Sequence, residues 1–308
     1  MEVSTVNLRN LPRRHFLKCF SALTAAVSGG MSSCCTSNLK RIQTSTLSDR
    51  LFVMDTFFWD EGLNAEKQIK ILQRFNQHKG TDCRTNWEQF PGVLETFDRH
   101  NVEMAAVYLP LSIDEPVPQY VAPLMQSLKG RRTLIWLNPT SQKHKPSDTA
   151  GDPAAIGLIQ KISAIASDND LQISLYHHRG NWMERVNDTY RLAVKSKRDN
   201  VGCTFNLYHW LCTANPGELD SVAALVMPKL NCVTINGTMK DAARLDVRKA
   251  ILPLDQGDYD VENFVRTFIK LGYHGSFCLQ GYGISGDIES KLAQSLQTWE
   301  NICGRIQS

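Results

Sequence analysis

From residue 51 to the C-terminus the chain repeats one pattern, a short apolar run followed by an amphipathic stretch. The apolar runs lie at 51–55, 102–110, 133–138, 172–178, 201–208, 232–237 and 276–282, and a weaker one at 80–84 makes eight. Helical spacing fills the intervals at about 61–77, 88–100, 118–129, 153–167, 182–196, 217–228, 260–271 and 287–303. Strands separated by helices run parallel, because each crossover returns the chain to the same end of the sheet. Eight such units predict an α/β fold, a closed (β/α)8 TIM barrel over residues 48–304. Helix-start chemistry agrees with this register. Asn215-Pro216 with Glu218, Asp260 with Glu262, and Asp287 with Glu289 each supply a cap and an early acid.

The segment before the barrel reads as an address. Arg13-Arg14-His15-Phe16-Leu17-Lys18 precedes a mildly apolar stretch closed by Gly29-Gly30, the pattern of a twin-arginine export signal over residues 1–33. Pro12 replaces the serine usual before the arginine pair. Met31-Ser32-Ser33-Cys34 is similar to a lipoprotein processing site, so Cys34 is the expected point of lipid anchoring on a membrane surface. Residues 34–47, rich in Ser and Thr, form the expected tether. The expected setting is the periplasm.

Charge supports that division. The formal net charge of the 308 residues is +3, and Arg9, Arg13, Arg14 and Lys18 against Glu2 account for it. The remaining body is balanced, which leaves no basic footprint for a phosphate backbone and excludes nucleic acid as the expected partner. Of the nine cysteines, none forms a CxxC pair or a zinc-type spacing. Those in strand-like runs read as small buried residues.

Period-two alternation assigns the faces of the strands. Asp55 with Val53, Trp136 with Asn138, and His178 with Ser174 and Tyr176 are expected to point inward. So are Asn206 with Thr204, Asn236 with Thr234 and Thr238, and Gln280 with Cys278 and Tyr282, while His209 lies just past its strand. Polar residues on one face cost free energy unless paired, so their crowding toward one end marks a site at the barrel mouth. Amides and aromatic rings suit a neutral, hydroxyl-rich small molecule, a carbohydrate.

The stretches at 173–188, 201–211, 233–238, 251–261 and 272–287 resemble the xylose isomerase-like barrel superfamily, which includes sugar-phosphate isomerases and epimerases and endonuclease-type barrels. The resemblance covers about residues 51–303, is most specific at 206–211 and 279–287, and is strongest to exported sugar isomerase/epimerase-like proteins of planctomycete-type bacteria. It implies a divalent metal held by a Glu, an Asp, a His and a Glu at the ends of strands five to eight. The matching positions here are His178, Asn206, Asn236 and Gln280, and all four differ. Glu184 and His209 match the substrate-side Glu and His of the same pattern.

No metal or other cofactor is therefore expected, since three amides remove most of the attraction for a hard cation. The alternative is a divalent metal, Zn or Mn, with His178, His209 and Asp55 as the donor set for Zn. The expected function is a sugar or sugar-ketone isomerase or epimerase, with Glu184 and His209 as acid and base. Asp55, Trp136, Asn138, His178, Asn206, Asn236, Gln280 and Tyr282 are the expected substrate-binding residues. Two readings stand beside it: a non-catalytic carbohydrate-binding barrel, and a glycoside hydrolase or lyase using Asp55 and Glu184. Several of these residues also have purely structural readings. Asn181-to-Glu184 can be a capping box, Asp55 a loop cap, His209 a packed core histidine, and the three amides a closed plug.

Overall fold

The computed structural model describes residues 46–83 and 86–308. The export signal, Cys34 and most of the tether lie outside the described residues.

Eight strands follow one another as β1 Leu51–Val53, β2 Lys79–Asp82, β3 Glu103–Ser112, β4 Leu134–Thr140, β5 Gln172–Tyr176, β6 Val201–Asn206, β7 Leu230–Ile235 and β8 Ser276–Leu279. They pair in the order β1-β8-β7-β6-β5-β4-β3-β2, every ladder parallel. The weak run at 80–84 is thus a true strand. Ten helices wrap them: α1 Ala65–Arg74, α2 Phe90–Arg99, α3 Val121–Ser127, α4 Asp152–Ser167, α5 Val186–Ser196, α6 Leu207–Thr213, α7 Leu219–Val226, α8 Val247–Ala250, α9 Val261–Lys270 and α10 Ile288–Gln307. Three caps form where the sequence places them. Asn215 accepts from Gly217, Asp260 from Asn263 and Asp287 from Ser290.

Among the described residues no ladder joins β1 to β2, the two ends of the strand order. A side chain closes that gap. The Asp55 carboxylate accepts the Thr81 hydroxyl at 2.7 Å and the Cys83 N–H at 3.1 Å, and Thr81 in turn accepts the Asp55 N–H at 3.0 Å. The result is a nearly closed eight-stranded barrel.

Outward side chains such as Ile135, Ile173, Leu175, Cys203 and Phe205 pack under the helices. Inward ones, Phe52, Ala106, Trp136, Tyr176, Cys232 and Cys278, fill the barrel itself. Phe52 stacks on Trp136 across the interior at 6.0 Å. The first strand is therefore reversed from its expected facing: Phe52 and Met54 point inward, and Val53 packs under the helices. A three-residue strand buried on both faces carries no alternation from which to read its direction.

Two departures from the expected elements shape the mouth. Strand β6 stops at Asn206, whose Oδ1 accepts the His209 N–H at 2.9 Å and starts α6 with no loop between. The apolar run through Tyr208 hides that change of period. After β7 the chain makes a long excursion, pinned where Gly237 and Leu252 exchange backbone hydrogen bonds of 3.0 and 2.8 Å. A Cβ on Gly237 would lie 1.9 Å from the Pro253 carbonyl oxygen, so only glycine permits this approach. The excursion carries α8 over the barrel mouth.

Candidate functional site

A cavity of about 650 Å³ opens at the C-terminal ends of the strands, where barrels of this design carry their sites. Trp136, Tyr176 and Tyr108 form its base, and Trp59, Tyr208 and Tyr282 stand around its side. Among the described residues lining it, Asp246 is the one carboxylate and Arg179 the one permanent cation.

The polar centre is a pair of histidines. The rings of His178, just past β5, and His209, in α6, lie 4.1 Å apart. One residue's backbone sets the proton position on both. The Arg179 carbonyl is 2.9 Å from His178 Nδ1 and can only accept, so Nδ1 carries the proton and Nε2 keeps a bare lone pair. The Arg179 N–H donates to His209 Nδ1 at 3.3 Å, so in neutral His209 the proton sits on Nε2. Burial lowers the affinity of both rings for a second proton, more strongly in His209, where the neighbouring His178 and His177 add to it. The cavity therefore holds two neutral imidazoles in opposite tautomers, one accepting and one donating.

Asn206 ties the strand ends together. Its Nδ2 donates to the Tyr176 hydroxyl at 2.5 Å and to Gln280 Oε1 at 2.9 Å, while its Oδ1 caps α6. With Oε1 committed, Gln280 presents its amide N–H groups to the cavity it lines. His177 is a support. Its Nδ1 bonds the Glu184 carbonyl at 3.2 Å and its Nε2 accepts the Asn206 N–H at 3.0 Å.

Of the residues singled out from sequence, Trp136, His178, His209, Gln280 and Tyr282 line the cavity, and Asn206 sits directly behind Gln280. Four lie elsewhere. Asp55 is turned toward β2 by the bonds above and by the Trp59 indole N–H at 2.9 Å. Asn138 donates to the Tyr176 carbonyl at 2.6 Å and accepts from Asn181 at 2.8 Å, so it braces the β5 loop. Asn236 is fully buried and donates to the Gly237 carbonyl, leaving its own Oδ1 unpartnered. Glu184 accepts the Gly180 N–H at 3.0 Å and closes the same β5 loop, away from the cavity wall. Helix α5 starts only at Val186, where Asp188 accepts the Arg185 N–H, so Asn181 and Glu184 do not form its capping box either. A six-residue spacing says how far Glu184 lies along the loop, but not to which side the loop turns it.

Sequence reading missed Tyr108, Arg179, Tyr208 and the excursion residues Leu245, Val247 and Ile251, all of which line the cavity. Tyr108 had a usable signal, since it is in register with Trp136 on the neighbouring strand. The excursion residues had none, because their position depends on the Gly237–Leu252 pairing.

The metal expected of related enzymes does not fit these residues. Among the described residues no three His, Cys, Asp or Glu side chains are placed to share an ion. Asp55, the third member of the His178–His209 set, is spent on the barrel seam. Of that set the two imidazoles remain, one short of the three protein ligands of a catalytic zinc site.

A buried histidine also makes the fold less stable in acid. Burial lowers the His177 pKa to about 4 from its ordinary 6.5. Below pH 6.5 the unfolded chain gains a proton there that the folded chain refuses. Unfolding free energy thus falls as pH drops toward 4 and levels off beneath it. His177 alone accounts for about 3 kcal/mol of this loss. Urea denaturation from pH 7.5 to 4 should show the decline, and it should be shallower in His177→Gln, whose Oε1 can still accept the Asn206 N–H. Identical slopes in the two proteins would refute this account.

The fold is a TIM barrel similar to those of solved xylose isomerase-like TIM barrel proteins. A xylose isomerase domain-containing protein from Salmonella typhimurium matches with a TM-score of 0.63 at 12% identity, over 86% of this chain and 99% of that one. The 3-keto-D-glucoside 4-epimerase YcjR from E. coli matches with a TM-score of 0.65 at 12% identity, over 82% and 99%. The IolI protein, solved with a zinc atom, matches with a TM-score of 0.67 at 14% identity, over 83% and 98%. Scans of protein-family models and of curated proteins found no match.

Proposed function

We propose that this barrel moves a proton next to the carbonyl of a keto-sugar, as an isomerase or epimerase that does not rely on a metal at the family's ligand positions. The opposed tautomers of His178 and His209 carry this reading. His178 Nε2 takes the proton from the carbon beside the carbonyl, and the C–H electrons pass into the C=O to give an enediolate. His209 Nε2–H and the Gln280 amide donate to the oxygen that becomes negative. In isomerisation protonated His178 returns the proton to the neighbouring carbon while the hydroxyl proton passes to the former carbonyl oxygen. In epimerisation water on the opposite face protonates the carbon, and the hydroxide formed takes the proton held by His178. The structural likeness to a keto-glucoside epimerase supports the substrate class.

The twin-arginine pattern and Cys34 support an exported, lipid-anchored protein of the periplasm, within the exported subgroup it resembles. The balanced charge of the body fits an unphosphorylated sugar.

A second reading, a carbohydrate-binding barrel without turnover, is favoured by the amides at three of the four ligand positions. A hydrolase is not supported, because paired carboxylates are needed and Asp246 is the single carboxylate among the described residues of the cavity wall. Proton NMR in D2O with chelator separates the two live readings. Deuterium should enter a 3-keto-glucoside beside its carbonyl, at a rate the chelator leaves unchanged. Saturable binding without exchange would favour the binder, and exchange only after metal is added would overturn the proposed chemistry.

A further inference from the structure

In the strand order, β5 and β1 lie on opposite sides of the barrel. The cavity is divided accordingly. On the β5–β6 side stand His178, Arg179, Tyr208 and His209. On the β1–β8 side stand Met54, Trp59, Gln280 and Tyr282, and the excursion adds Leu245, Asp246, Val247 and Ile251 to the cavity wall. Arg248 fixes that part of the wall, since it pairs with Asp60 just past β1 and lies over the Tyr282 ring at 5.9 Å. Trp59 and Tyr282 meet edge to face at 6.0 Å.

This second side is mostly aromatic and apolar, its polar groups being the Gln280 amide, the Tyr282 hydroxyl and Asp246, whose Oδ1 already accepts the Arg248 N–H. The Thr56 hydroxyl is engaged by the Gly281 N–H, and the Trp59 indole N–H is given to Asp55. A sugar's several hydroxyls seated there would lose more water contacts than these few groups replace. A cavity of about 650 Å³ also falls in the range of pockets that take drug-sized ligands and exceeds the need of one monosaccharide. We infer that the substrate is a glycoside, its sugar ring at the histidines and a flat apolar aglycone between Trp59, Tyr282 and the excursion. This rests on the proposed function for the sugar end and extends it to the other.

Calorimetric titration with methyl β-D-glucoside, phenyl β-D-glucoside and cellobiose tests it. The phenyl glucoside should bind more tightly than the methyl glucoside by on the order of fiftyfold, from apolar surface leaving water. In Val247→Asp the phenyl-to-methyl ratio should fall to near one, and Tyr282→Ala should lower it as well. A general loss of fold would weaken both ligands and leave the ratio standing. Equal affinities in the wild-type protein, or cellobiose binding more tightly than the phenyl glucoside, would overturn the inference. The two readings fail separately: phenyl preference without deuterium exchange removes only the catalysis, and exchange without phenyl preference removes only the aglycone.

Discussion

Replacing His178 by Gln is expected to lower deuterium exchange into the keto-sugar by about 10³-fold, within the range that a positioned general base supplies. Gln retains an acceptor near the Nε2 position but cannot hold a proton at neutral pH. The matched changes at His209 separate the two roles. His209→Gln still offers an N–H and should lose only about tenfold, whereas His209→Leu should lose on the order of 10² or more, the scale of one missing oxyanion donor. The pH profile carries the same assignment. Burial lowers the His178 pKa, so its lone pair stays free through neutrality and the rate falls only in acid, below the usual histidine range. Exchange rates by NMR at several pH values measure all of this. A His178→Gln rate within threefold of wild type would remove the base, and equal losses in His178→Gln and His209→Gln would remove the division of labour.

Asp55→Ala should destabilise the barrel by about 3–5 kcal/mol, the usual cost of breaking a buried charged network on one side. Its carboxylate is 5% exposed and receives three donors, the Thr81 hydroxyl, the Cys83 N–H and the Trp59 indole N–H. These join β1 to β2 where, among the described residues, no ladder does. Removing it strands those donors at the weakest point of the strand ring. A fall in Tm of about 10 °C or more is the expected reading by calorimetry. Unchanged stability with lost sugar affinity would instead restore Asp55 to the ligand contacts that its sequence position suggested.

The contrast between Asp55 and Gln280 shows how far side-chain alternation reaches. Along β4 to β8 each strand has enough residues for one face to read polar and the other apolar, and there the inward residues are the expected ones. On β1, three residues buried on both sides gave no such contrast, and the facing came out reversed. Asn206 was legible as an inward amide, but not as the cap that starts α6 and turns His209 into the cavity. Glu184 shows the opposite failure. Its spacing matched a family pattern, yet the loop that Asn138 and Asn181 brace carries it off the wall.

By itself the sequence determined the eightfold strand–helix alternation, and with it the barrel, because hydrophobic periodicity is a local property that burial enforces at every element. It also determined that amides occupy three positions where a cation's ligands would be sought. Only the tertiary structure decided which nitrogen of each histidine is bare, that Asp55 closes the ring, and that an excursion 200 residues from β1 walls the cavity. Those depend on single hydrogen bonds and close backbone approaches between segments far apart in the chain, for which periodicity has no signature.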